Sequence, residues 1–326
     1  MRKQKFDLIS IGDTTEDIFL DLKEETKVVK DKRGVEYLGL LYAEKIAVEK
    51  VTDVLAVGNA ANVAVGSSRL GLKAALYTVL GNDDTGEQMA KVLLREGVAK
   101  DYIMFDKKRK SNLSIVLNYK AERTILVHHE KRDYNLPRLA GARWLYFTSL
   151  GQGHEKLHTQ IPRYVKKHGA KLAFNPGSHQ LNEGLRNLRP ILKATAVLFV
   201  NREEAQTLVG KEKDIKKLLV KLRELGPEIA VITDGPKGSF ASNGLHSCFL
   251  PIFPACLVER TGAGDAYGTG FVSALAYGKP LAEAMRWGTV NSASVIQYIG
   301  AREGLLRIKD MERILKEHPS FKAKKI

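Results

Sequence analysis

The sequence predicts an α/β fold in three layers, α/β/α, with a mostly parallel central sheet and a small β lid. Three observations predict it. Short apolar, β-prone runs alternate with amphipathic stretches, the pattern of parallel strands joined by helical crossovers. Polar residues recur where those strands end: Asp13 and Asp17, Asn82-Asp83-Asp84, Asn175, Asn201 and Thr233-Asp234. Open α/β sheets bind ligands at that edge. Finally, a glycine-rich turn, Thr261-Gly262-Ala263-Gly264-Asp265, runs straight into an apolar helix.

Along the chain, the first strand is expected over Phe6–Gly12. The start is basic, Met1-Arg2-Lys3-Gln4-Lys5, but the apolar run after it is broken by Asp7 and stops at Gly12. It has no small-residue cleavage site, so it reads as a strand and not as a signal peptide. Ile18–Val57 holds charged and β-like pieces and no good helix. A helix over Ala60–Leu70, a strand over Ala75–Gly81 and a helix over Thr85–Glu96 follow. Asn112–Glu130 alternates apolar and polar residues around Lys120-Ala121-Glu122 and reads as a β-hairpin. The segments near 18–57 and 112–130 are expected to form the lid over the active face.

The second half continues with strands over Trp144–Ser149, Lys171–Asn175, Ala196–Asn201 and Glu228–Thr233. Helices are expected over Glu155–His168, Arg202–Leu208, Asp214–Leu225 and Asp265–Tyr277. In the last of these, Phe271 and Leu275 lie one turn apart and can face the core. Gly268 and Gly270 each weaken a helix by about 1 kcal/mol relative to Ala, which suggests close backbone packing near a ligand. Gly278 suits a helix stop and Pro280 the start of the next helix. Nothing resembling a linker or repeat divides the chain, so residues 1–326 are expected to form one domain.

Composition narrows the function. With 326 residues, 44% of them hydrophobic, the chain can bury a large core. Its two cysteines, Cys248 and Cys256, make no disulfide scaffold and no metal spacing, so a reducing cytoplasm is the expected location. No run approaches the roughly 20 apolar residues of a membrane span. The net charge of +15 reads as a basic surface. The lysines are spread through helices and tail, without the interleaved aromatics of a single-strand groove, so no nucleic-acid partner is expected.

Familiar motifs are mostly absent. There is no G-x-x-x-x-G-K-[ST] loop, no G-x-G-x-x-G after the first strand, and no serine elbow. His154-Glu155-Lys156-Leu157-His158 matches the zinc-protease pattern literally. It reads instead as an exposed first helical turn, because Lys156 would set a cation beside the metal and no third ligand is evident.

The turn at Thr261–Asp265 carries the chemistry. Small residues let backbone N–H groups approach an anion, and a helix N-terminus adds unpaired donors and the positive end of its dipole. The dipole also favours the ionised form of Asp265. An anion hole of Gly262, Ala263 and Gly264 beside a carboxylate base is what phosphoryl transfer to a hydroxyl needs.

These residues resemble the ribokinase-like, PfkB-type carbohydrate and nucleoside kinases over nearly the whole chain. Thr261–Asp265 looks like the family's C-terminal signature. Val57-Gly58-Asn59-Ala60-Ala61-Asn62, with Arg69-Leu70-Gly71, looks like its N-terminal one. Gly81–Gly86, Asn201-Arg202-Glu203-Glu204 and Thr233–Gly238 match three further motifs in the family's order. The resemblance implies that Asp265 is the catalytic base and that Asp17, Gly58 and Asn62 bind substrate hydroxyls. It also implies that Asn201 and Glu204 organise Mg2+ through water, with no direct protein ligand. Thr233, Gly235 and Gly238 would line ATP, and Asn291 would lie near adenine. Glu259-Arg260 replace the family's Asp-Thr, which puts the monovalent cation of some relatives in question.

The function expected is ATP-dependent phosphorylation of a hydroxyl on a small sugar or sugar-like substrate. A nucleoside kinase is the alternative, with Tyr37, Tyr42 or Tyr119 available to stack on a base. A non-catalytic basic binding or regulatory protein on the same fold is the rival from another class. A homodimer could form through the lid.

Overall fold

The computed structural model describes residues 5–23, 26–120 and 122–326. In chain order the strands are β1 (Phe6–Ile11), β2 (Thr15–Leu22), β3 (Lys27–Lys30), β4 (Glu36–Gly39), β5 (Val48–Val57), β6 (Ala74–Gly81), β7 (Ile103–Asp106), β8 (Asn112–Tyr119), β9 (Glu122–His128), β10 (Ala142–Phe147), β11 (Lys171–Phe174), β12 (Val197–Asn201), β13 (Ile229–Thr233), β14 (Ser239–Ser242), β15 (Ser247–Leu250) and β16 (Lys324–Lys325). The helices are α1 (Asn59–Arg69), α2 (Asp84–Arg95), α3 (Leu157–His168), α4 (Ser178–Asn182), α5 (Leu185–Leu192), α6 (Arg202–Val209), α7 (Ile215–Glu224), α8 (Ala263–Ala276), α9 (Leu281–Val295) and α10 (Ile308–Glu317).

The main sheet runs β16-β15-β14-β13-β12-β11-β10-β1-β6-β7. Pairing is parallel from β13 to β7 and antiparallel across β14, β15 and β16. Side chains alternate between its faces. Leu8, Trp144, Tyr146, Ala173, Phe199 and Val231 pack against Phe271 of α8, Met285 of α9 and Met311 of α10. Ile9, Leu145, Phe147, Leu172, Leu198 and Ile232 pack on the opposite face with Leu157 of α3, Leu188 of α5 and Leu218 of α7. Because strands β1, β6 and β10–β13 are parallel, their carboxyl ends share one edge.

The two segments expected as lid are joined in a second sheet, ordered β5-β2-β8-β9. Strand β2 pairs antiparallel with β5 and parallel with β8, so residues near 15–22 are the seam between the two segments. Strands β8 and β9 form the expected hairpin, with Tyr119 opposite Glu122, while Ala121 of its turn lies outside the described residues. Strands β3 and β4 form a separate hairpin, and Glu24 and Glu25 before it lie outside the described residues. Among the described residues no helix is long and apolar enough to cross a membrane.

Candidate active site

Glycines bring the site's elements together. At the exit of β1, a Cβ on Gly12 would stand 2.7 Å from the Ala60 Cβ and 2.9 Å from the Ser149 carbonyl. Only a bare backbone lets α1 and the β10 exit close on that strand end. Gly58, at φ 101°, turns the chain from β5 into α1 against the Asp13 carbonyl. Gly66 lets α1 approach Thr269 of α8, where a Cβ would lie 2.8 Å from Thr269 Cγ2. The two helices therefore meet at their first turns, and Asn62 Nδ2 donates to Asp265 Oδ2 at 2.8 Å.

Asp265 is only 7% exposed. Burial pushes its pKa up from 3.8 to about 6, opposed by the Asn62 hydrogen bond. The helix dipole led to the opposite expectation, a carboxyl biased toward ionisation. Desolvation outweighs it here: a rise of this size is about 3 kcal/mol, against at most about 2 kcal/mol for a helix dipole in a partly buried geometry. The result is a carboxylate that is ionised at neutral pH and still basic enough to take a proton.

The glycine-rich turn is shaped by two kinds of glycine. Gly262 has φ 76°, and a Cβ there would collide with Ala301. Gly264, in the first turn of α8, is different: a Cβ would meet nothing within 4 Å. It opens on a cleft of about 300 Å³. Thr233, Gly235, Gly238, Arg260 and Ala263 line that cleft on one side. Ile252, Phe253, Leu257 and Ile296 give it an apolar side, and Thr289 and Ser292 of α9 a polar one. Glu259 is occupied locally: it accepts from the Thr261 hydroxyl and, at 2.6 Å, from the Gly300 N–H.

The remaining residues singled out from sequence fall into separate groups. Asp17 lies on β2, half-buried, accepting from Thr15 Oγ1 at 2.7 Å. Burial raises its pKa, opposed by the Thr15 and Ser114 hydroxyls, and the Glu259 carboxylate adds to the rise. Asn201 and Glu204 make a reciprocal capping box at the start of α6, each side chain accepting the other's N–H at 2.8 Å. That use leaves Glu204 Oε1 as the remaining carboxylate oxygen. Burial raises the Glu204 pKa, so the group gains by having a cation near it.

Asn291 is not among the residues lining the cleft. It is fully buried, donating to the Ala266 carbonyl at 2.8 Å and accepting from the Leu306 N–H at 3.1 Å. Both polar ends brace α8 against the chain beyond α9. Gly268 and Gly270 are likewise packing residues. Their Cβ atoms would strike the Tyr146 hydroxyl and the Trp287 carbonyl, so they seat α8 on the sheet and on α9.

Two features escaped the sequence reading. Asp13, 3% exposed, gathers the Tyr134 hydroxyl, the Gly151 N–H at 2.7 Å and the His129 Nδ1 at 2.9 Å. Its place after β1 marks Asp13 in the sequence, but the network does not show there, because these partners lie far along the chain. The His154–His158 turn, expected to be exposed, is buried at both histidines, and Lys156 points away to Asp133. Asp83, within the Gly81–Gly86 motif, caps α2 through the Gly86 N–H and holds Ser111 before β8.

A wide parallel sheet, a smaller β sheet, and a cleft at a helix N-terminus define a class, the ribokinase-like fold. Two solved structures share it at 20% identity. A nucleoside kinase of Methanocaldococcus jannaschii superposes with a TM-score of 0.78, covering 97% of this chain and 100% of that one. A ribokinase of Arabidopsis thaliana, complexed with ribose and ATP, superposes with a TM-score of 0.79, covering 95% and 99%. The chain belongs to the pfkB family of carbohydrate kinases, whose pattern matches residues 32–308. It is 30% identical over 254 residues to an uncharacterized sugar kinase of Archaeoglobus fulgidus, spanning 76% of this chain and all of that one. It is therefore a sugar or nucleoside kinase, a phosphotransferase with an alcohol group as acceptor.

Proposed function

We propose that this protein transfers the terminal phosphate of ATP to a hydroxyl of a small sugar or sugar-like molecule, with Asp265 as the base. The observation that carries this reading is the pairing of a buried, Asn62-held carboxylate with the open backbone of Gly264 one residue before it. Asp265 takes the proton of the acceptor hydroxyl. That oxygen bonds to the γ-phosphorus as the bond to the β-phosphate oxygen breaks, and ADP leaves. The Gly264 N–H in the first turn of α8 has no helical carbonyl to bond, and the Ala263 N–H reaches the Arg260 carbonyl only at 3.3 Å. They receive the charge that grows on the transferring group.

ATP would lie in the cleft with its phosphates along Thr233, Gly235 and Gly238 and its base on the apolar side. Mg2+ takes oxygen ligands and keeps several waters. The single spare oxygen Glu204 Oε1 suits a metal-bound water, with Asn201 as the residue that orients it. Bound there, Mg2+ would neutralise phosphate charge during transfer. Asp17, with Gly58 and the unpaired buried Asn62 Oδ1, would hold substrate hydroxyls. Tyr42 is 96% exposed, and the Tyr37 hydroxyl is tied to Asp31 inside its own hairpin. Tyr119, on β8, is then the candidate to stack on a base, and a nucleoside stays the alternative acceptor.

The test is ADP release with ATP and Mg2+ across sugars, sugar phosphates and nucleosides, with Asp265→Asn as control. Turnover on a sugar that disappears in the control supports the reading. Turnover on nucleosides alone replaces the substrate class, and equal rates in the control remove Asp265 as the base.

A further inference from the structure

The turn His154-Glu155-Lys156-Leu157-His158 lies outside the cleft, and phosphate transfer makes no use of it. The two histidines sit one turn apart where the chain enters α3, since the Leu157 N–H donates to the His154 carbonyl at 2.8 Å. They are 1% and 3% exposed. Glu183, at the end of α4, sets its carboxylate against both. Its Oε1 lies 2.7 Å from His154 Nε2 and its Oε2 lies 3.5 Å from His158 Nδ1. One ligand atom from each residue lies within 4.8 Å of the other two, the one such group among the described residues.

The hydrogen bonds show what the cluster lacks. His154 Nδ1 lies 2.6 Å from the Gly151 carbonyl, which can only accept. Nδ1 therefore carries a proton, which leaves Nε2 as the ring's ligand atom. That Nε2 makes no hydrogen bond of acceptable angle, although the carboxylate is close. A shared proton would need the carboxylate on the ring nitrogen's axis. A shared metal needs it off that axis, because ligands spread tetrahedrally around zinc at about 2.0–2.2 Å, and the 2.7 Å between the two atoms would open by about half an ångström on loading. His158 Nε2 is also buried and unpaired.

We propose that His154, His158 and Glu183 bind a zinc-type divalent cation that staples the start of α3 to the turn between α4 and α5. Three protein ligands leave a fourth position for water. Imidazole donors select such a cation over Mg2+. The Gly151 carbonyl is the outer partner that fixes the first ring. Gly151 also donates its N–H to Asp13, so the staple stiffens the loop beneath the β1 exit.

The test titrates the tag-free, chelator-treated full chain with Co2+ in excess Mg2+. The expected result is an intense tetrahedral cobalt band saturating at one equivalent, displaced by Zn2+, with a higher Tm for the zinc-loaded protein. The His154→Gln/His158→Gln double variant and Glu183→Gln should both lose the band and the Tm gain. Circular dichroism of the metal-free proteins checks their fold, and if the double variant does not fold, Glu183→Gln decides. Absence of a band in the wild type would show an imidazolium–carboxylate pair and overturn the proposal. So would a band that survives in a folded variant.

Discussion

As the proposed base, Asp265 combines two demands that conflict. A base must be ionised to accept a proton, yet the same group is sealed where ionisation is disfavoured. Its raised pKa makes folding favour the protonated form. That stabilising contribution is complete below the unfolded pKa of 3.8 and is lost as pH rises through about 6. Asp265→Asn removes the buried charge, so at pH 8 the variant should be more stable than wild type by roughly 2–3 kcal/mol. The gap should narrow at pH 5, and denaturant midpoints at the two pH values measure it. Turnover should fall by orders of magnitude while nucleotide binding, read by calorimetry, persists. Asn62 is a positioning residue whose hydrogen bond favours the ionised form. In wild type the single-turnover rate should rise with pH through about 6 and level off. Asn62→Ala should move that rise to higher pH, whereas a purely structural role would lower the rate equally at every pH.

At the level of elements, the glycines around α8 divide into those that neighbours lock and one that faces the cleft. Gly262, Gly268 and Gly270 are locked by neighbours, and a Cβ on any of them would collide. Gly264 is not. Its Cβ would enter open space beside the cleft, and Ala stabilises a helix interior by about 1 kcal/mol over Gly. Gly264→Ala should therefore keep or raise Tm while weakening ATP binding and slowing transfer, because the methyl occupies the phosphate's approach. Unchanged kinetics would place the phosphate elsewhere. The turn itself was legible in the sequence, since a run of small residues before an apolar helix is a local, backbone-dictated pattern. The main strands were legible as well, because a sheet covered on both faces demands continuous apolar runs. Short elements were harder. The sequence reading marked no strand at β14 or β15, whose serines hide the alternation, and none at β7 or the two-residue β16. The pKa of Asp265 and the Asp13 network were hidden for another reason: both arise from residues that only tertiary packing brings together.

At the scale of the whole molecule, the second sheet leaves an edge. Strand β9 is its last member, so one side of its backbone has no partner strand in the sheet. Ile125, Leu126 and Val127 are 42%, 53% and 61% exposed, so apolar side chains stand on both faces of that edge. An exposed apolar edge strand invites strand pairing with another chain, and like edges paired antiparallel obey twofold symmetry. The sequence could suggest strands here but not which of them ends the sheet, because that depends on β2 pairing with β8 across nearly a hundred residues. A homodimer through β9 is therefore the expected solution state. Two copies each carrying +15 repel one another, so sedimentation should show the dimer tightening as salt is raised, with screening lengths near 10 Å at 0.1 M. Val127→Lys adds a charge at the joint and should give monomers whose Tm is within a few degrees of wild type at low protein concentration. Dimers that persist in Val127→Lys would move the interface elsewhere. A monomeric wild type at high salt would instead mean that β9 stays unpaired.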